Sequence, residues 1–193
     1  MDRDRSDILA EYMDAQPPVV IVLAAGRGER FAASGGTAHK LQALMAGKPV
    51  LQHVLDAVAA SGLPHHVVHA DPSRPGMGDS IAAGVRATAG ASGWLVLPGD
   101  LPLVQPHTLR AVAQALASHA VVAPVYRGER GHPVGFAAPC AQQLAALAGE
   151  QGAAPVARAW GVHLLAVDDA GVVTDVDTVQ DLARAERALV DRA

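Results

Sequence analysis

The chain has 193 residues, of which 50% are hydrophobic and 18% charged, with a net charge of -4. That balance excludes disorder as the main state, and the single cysteine, Cys140, excludes a disulfide scaffold and suits a reducing, cytoplasmic setting. Mild acidity and 3% aromatic residues speak against nucleic acid as a partner, and no run of about 18 uncharged apolar residues offers a membrane span.

Residues 1–17 alternate charge without an apolar core, which predicts a polar tail or short helix and not a secretory leader. Residues 18–193 then form one domain. From Val19 the run VVIVLAAG is continuous, apolar and β-branched, as a strand buried on both faces requires. Short apolar runs recur at His65–Ala70, Gly93–Asp100, Ala120–Tyr126 and Gly161–Val167. Helical stretches separate them. Pro49–Gly62 opens on proline and closes on glycine, and Asp79–Gly90 opens on Asp79 and Ser80, which serve as N-caps. Pro106–His119 sets Leu109, Val112, Ala113 and Leu116 on one face, and Asp177–Val190 carries Leu182, Ala185 and Leu189 at helical spacing. Strands alternating with helices predict a three-layer α/β/α sandwich on a mainly parallel sheet.

In such folds ligands bind beyond the carboxyl ends of the strands. The first strand ends in LAAGRGERFAASGGTAHKLQ, which fails the dinucleotide fingerprint at Phe31 and the Walker pattern at Pro49. It retains Gly26, Gly28, Arg30 and, further on, Lys40. Glycines let backbone N–H groups approach phosphate oxygens, and a guanidinium can grip two of them at once. The only lysines are Lys40 and Lys48, and between Arg27 and Lys48 four basic side chains face one acid, Glu29. The pattern suits a polyphosphate.

Asp100 ends the run LVLPGD, where a carboxylate can hold a hard divalent cation. Asp175 and Asp177 lie two apart and share a face of an extended segment, although Asp177 is equally placed to cap the last helix. YRGERGHPVGF collects Arg127, Arg130 and His132 in a basic turn, and GMGDS offers Gly78 and Ser80 at a helix start suited to an anion. His65, His66, His69 and Cys140 lack metal-ligand spacing and are expected to be structural.

In order along the chain, LAAGRGERF, KLQALMAGKPVLQHV, GMGDSIAAGV, LVLPGDLPLV, PVYRGERGHPVGF and DVDTVQDL resemble the MobA-like nucleotidyltransferases, most of all those that join CTP to molybdopterin. The resemblance implies a Rossmann-like, nucleotide-diphospho-sugar transferase-like sheet that binds CTP with Mg²⁺. It assigns nucleotide contacts to Leu23, Ala24, Ala25, Gly26, Gly28, Gly78 and Ser80. Arg30 then holds the β- and γ-phosphates, Lys40 the α-phosphate, and Asp100 with Asp177 the metal. Arg130 and His132 face the acceptor phosphate. Ala25, where GTP-using relatives carry glycine, implies cytidine, as does GHPV at Gly131–Val134. Two departures stand out: AASGGTAH lengthens the chain between Arg30 and Lys40, and Glu150 stands where the family carries Asp. The first motif is shared with guanylyl and sugar- or alditol-phosphate transferases. A carrier that delivers the cofactor to a client molybdoenzyme without chemistry is the alternative of another class, against which the two aspartates argue.

Overall fold

The structure is a computed structural model that describes residues 16–26, 28–73 and 76–191. Arg27 and all but the last two positions of the expected tail lie outside these. In chain order the elements are β1 (Val19–Ala24), α1 (Glu29–Ala33), β2 (Leu44–Met45), β3 (Lys48–Pro49), α2 (Val50–Ser61), β4 (His65–His69) and α3 (Met77–Ala87). There follow β5 (Gly93–Pro98), α4 (Pro106–Ala115), β6 (Val121–Tyr126), β7 (Glu129–Arg130), β8 (Val134–Ala137), α5 (Ala141–Ala145), α6 (Ala154–Trp160), β9 (His163–Ala166) and α7 (Val179–Val190).

β1 is flanked by β4 and β5, both parallel to it. β8 pairs antiparallel with β5 and β6, β7 forms a hairpin with β6, and β9 runs parallel along β6. β4, β1, β5, β6 and β9 therefore share one direction, and the seven-stranded sheet is mainly parallel, as the alternating pattern predicts. The chain leaves β1 for β4 on one side and returns to β5 on the other. That reversal opens a crevice beyond the carboxyl ends of β1 and β5.

Alternation along β1 feeds both layers. Val19 and Ile21 pack with Ile81 and Val85 of α3, Leu144 of α5 and Val156 of α6. Val20 and Val22 pack with Val54 and Val58 of α2 and with Leu109 and Val112 of α4. Fully burying each such side chain is worth about 1.5–3 kcal/mol. A third cluster joins Phe31, Leu41, Met45 and Val50 to Ala185, with Leu182 and Leu189 of α7 against it. It is this cluster that seats α1 and the Lys40 turn beside the crevice.

Two helix starts differ from expectation. α3 begins at Met77, two residues early, and no side chain caps it; the Asp79 carboxylate instead accepts the Gly149 N–H at 3.0 Å. α7 is capped by Thr178 and Asp181, each accepting the other's backbone N–H. That leaves the Asp177 carboxylate for other partners.

Candidate active site

A cleft of about 670 Å³ opens at the crevice, within the range of about 300–1,000 Å³ that small-molecule sites occupy. Leu23, Ala25, Gly26 and Gly28 line it from the first strand and loop, with Arg30 from α1. Pro98, Gly99 and Asp100 line it from the end of β5, and the Gly99 N–H donates to the Leu23 carbonyl at 3.0 Å, which locks the two strand ends together. Gly28 has φ +68° at the start of α1, a left-handed conformation that glycine adopts without strain. Gly26 and Gly28 themselves place backbone directly against the cleft.

At the centre is Lys40. Its Nζ lies 2.5 Å from Asp100 Oδ2 and 2.9 Å from Asp177 Oδ1, and Arg30 reaches Asp177 Oδ2 at 2.6 Å. The Lys40, Asp100 and Asp177 side chains are 11%, 17% and 15% exposed, so water screens them poorly, whereas Arg30 at 77% is free to swing. Burial alone disfavours the Lys40 ammonium, but the two carboxylates outweigh it and hold its pKa above the ordinary lysine value. The lengthened segment between Arg30 and Lys40 does not displace the lysine: a Cβ on Gly26 would stand 3.6 Å from Lys40 Cε. That segment is anchored at Ser34, whose Oγ accepts the Val179 N–H at 3.0 Å, and at His39, whose Nε2 lies 2.7 Å from the Gly26 carbonyl oxygen.

Asp175 joins the same wall of the cleft. Burial first, and then the nearness of Asp177 and Asp100, pushes its carboxyl above the usual carboxylate range. The Val176 N–H donates to the Asp100 carbonyl at 2.9 Å, which docks the whole Asp175–Asp177 segment against the end of β5. Glu129, Arg130, His132 and Glu150 also line the cleft, with the His132 backbone N–H donating to the Val172 carbonyl at 2.9 Å. His132 Nδ1 is buried without a hydrogen-bond partner, the ring bonds to the Val96 backbone, and burial keeps the imidazole below its ordinary pKa.

Among the residues singled out from sequence, Ala24 and Gly78 lie outside the cleft lining. Ala24 packs against the third core cluster. The Gly78 N–H donates to the Gly149 carbonyl at 2.9 Å, and a Cβ there would come within 2.5 Å of the Gln151 carbonyl oxygen. Its glycine thus lets the loop bearing Glu150 close onto α3. Ser80 lines the cleft while its hydroxyl donates to the Gly76 carbonyl at 3.2 Å. His39 is the addition, since a histidine before a lysine has no sequence signature; Asp175, paired with Asp177 from the sequence, is turned to the cleft by the docking at Val176.

Asp100 and Asp177 each direct an oxygen at one point, the Lys40 ammonium. Two such hard oxygen donors fit Mg²⁺ or Mn²⁺, which take one or two protein carboxylates and complete their shell with phosphate and water. No group of three or more His, Cys, Asp or Glu side chains able to hold a metal occurs among the described residues. Nor, among them, is any helix long and apolar enough to cross a membrane.

The MobA-like NTP transferase domain matches residues 20–74 and 58–167. The chain is 34% identical to 2-C-methyl-D-erythritol 4-phosphate cytidylyltransferase of Cereibacter sphaeroides, over 88% of this chain and 95% of that protein. It is 35% identical to the bifunctional protein GlmU of Halorhodospira halophila over 49% of its own length, and spans only 24% of that longer protein. Among solved structures, Rv0371c of Mycobacterium tuberculosis superposes with a TM-score of 0.72 at 27% identity, over 90% of this chain and 98% of the other. The same protein in complex with manganese gives 0.70 at 25% identity, over 90% and 99%. By these matches the chain belongs to the MobA-like NTP transferase family.

Proposed function

We propose that the protein is a nucleotidyltransferase that moves CMP from CTP to the terminal phosphate of molybdopterin and releases pyrophosphate. The observation that carries the transfer chemistry is the Lys40 ammonium held between Asp100 and Asp177 beside a glycine loop. Cations, backbone donors and two metal-type carboxylates converge there. The one cleft-lining serine, Ser80, has its hydroxyl committed to backbone.

An acceptor phosphate is already anionic at neutral pH, so its oxygen attacks the α-phosphorus without a general base. The new P–O bond forms as the bond to the β-phosphate oxygen breaks, and pyrophosphate leaves in line. Arg30 turns from Asp177 to the β- and γ-phosphates, and Lys40 turns from the carboxylates to the α-phosphate, where it neutralises charge that builds in the transition state. Asp100 and Asp177, so released, would hold Mg²⁺, which would supply positive charge to offset the phosphates and the leaving pyrophosphate. Arg130 and His132, which line the same cleft, face the acceptor.

Ala25 in the cleft wall and the cytidylyltransferase relative support the choice of CTP. That same relative favours a second reading, cytidylyl transfer to a sugar-alcohol phosphate. Pyrophosphate release with Mg²⁺, measured for CTP, GTP, ATP and UTP against molybdopterin and against 2-C-methyl-D-erythritol 4-phosphate, separates them. Release with CTP and molybdopterin is the expected result; release only with the sugar-alcohol phosphate selects the second reading, and release with GTP overturns the choice of nucleotide.

A further inference from the structure

We infer that His39 is a positioning residue for nucleotide binding: its imidazole staples the Gly26 carbonyl to the turn that carries Lys40. The inference rests on the glycine loop receiving the nucleotide phosphates, as proposed above.

The bonding fixes the ring's tautomer. The Leu41 N–H can only donate, and it lies 3.3 Å from His39 Nδ1, so Nδ1 accepts. The ring proton is therefore on Nε2, which donates to the Gly26 carbonyl oxygen at 2.7 Å. The same ring lies under Gly28, where a Cβ would stand 3.5 Å from His39 Cδ2 and 3.5 Å from the Lys40 nitrogen. One side chain thus touches both ends of the Gly26–Gly28 segment and caps the Lys40–Gln42 turn.

The position of His39 separates this role from plain structural support. The ring is exposed, while Leu41 in the same turn is 4% exposed and packs into the third core cluster. Removing the imidazole leaves that anchor and both Lys40 ion pairs. What it frees is the carbonyl of Gly26, at the start of the glycine loop, and the contact under Gly28. The contribution is therefore to binding of the triphosphate and not to the chemical step, because nothing on His39 reaches the carboxylate pair.

The test compares His39→Ala with His39→Gln, whose amide can donate at the distance of Nε2. CTP binding measured by calorimetry and steady-state transfer are read together with exchange of the Ala32 amide, which bonds to the Gly28 carbonyl at 3.0 Å. His39→Ala should raise Kd and KM for CTP about five- to tenfold with kcat within about twofold, the loss expected for one uniform hydrogen bond. It should speed Ala32 exchange about tenfold, and His39→Gln should restore each value. Equal CTP affinity in wild type and His39→Ala, or a glutamine no better than alanine, overturns the inference. If His39→Ala does not fold, wild type against His39→Leu and His39→Gln gives the same reading. Absence of CTP binding by wild type would fall on the proposed function; Ala32 exchange then judges the staple alone, and exchange unchanged by His39→Ala overturns it.

Discussion

Lys40 and Asp100 stand 60 positions apart in the chain and meet at 2.5 Å in the cleft. The contact joins the Lys40–Gln42 turn to the end of β5, and Asp177, 137 positions from Lys40, completes it from just before the last helix. Three distant segments thereby share one charged centre, in which a buried ammonium faces two poorly screened carboxylates and Arg30 pairs with one of them from outside.

Asp100→Ala should lower turnover by about 10³-fold, the scale of losing one preorganised electrostatic contact in a transition state. Thermal stability should change little, because Lys40 keeps Asp177 and the Asp100 carbonyl still accepts the Val176 N–H. Steady-state kinetics and a thermal melt decide it. Wild-type turnover removes Asp100 from the site, and an equal collapse of the fold makes it structural.

Lys40→Ala leaves Asp100, Asp175 and Asp177 together without their buried cation, while the exposed Arg30 still pairs with Asp177. Asp175 titrates above its unfolded value, so its contribution to stability is present below that value and is lost as pH rises through the folded one. Without the ammonium this loss should grow. The gap in melting temperature between wild type and Lys40→Ala should widen as pH rises above the ordinary carboxylate value of about 3.9 and shrink on acidification toward it, whereas a gap independent of pH would reduce Lys40 to packing.

His132 titrates below its unfolded value, so its contribution is present above the usual histidine pKa of about 6.5 and fades as pH falls through the folded value. Asp181 is also held low, first by the Thr178 hydroxyl, but acts only in the carboxylate range. Between pH 7 and pH 5 wild type should therefore lose more denaturant resistance than His132→Gln, whose amide retains a donor for Val96. Parallel profiles would contradict the buried neutral imidazole.

Asp169, 1% exposed, accepts the Gln105 N–H, the Thr108 hydroxyl and the Gly171 N–H, each within 2.9 Å. Asp169→Ala strands three donors at the base of the segment that brings Val172 and Val173 to the cleft. The expected cost is about 3 kcal/mol or more in urea unfolding. A loss below about 1 kcal/mol would mean that water replaces the carboxylate.

Much of the architecture is legible in the sequence because the physics is local. Val19–Leu23 is apolar on both faces and becomes the strand at the middle of two core layers, and glycine after Ser61 ends α2 in a left-handed cap. The elements that escape are those whose signal is not local. β8 spans four residues and includes Gly135, so it reads as the tail of a basic turn, and it is a strand only because β5 and β6 offer it two edges. α5 and α6 lie in alanine-rich text that has helix propensity but no contrast between faces. In the site, residue types and motif order are readable. Their mutual pairing is not, since Lys40, Asp100 and Asp177 meet only through the third core cluster and the Val176–Asp100 hydrogen bond.

The central claim, transfer of a nucleotidyl group at the Lys40–Asp100–Asp177 centre, is tested most directly by following CTP labelled at its α-phosphorus with Mg²⁺ and molybdopterin. The label should pass to the acceptor with one pyrophosphate released per transfer, in wild type and not in Asp100→Ala. Release of orthophosphate with the label left in CDP, or transfer undiminished in Asp100→Ala, would contradict it.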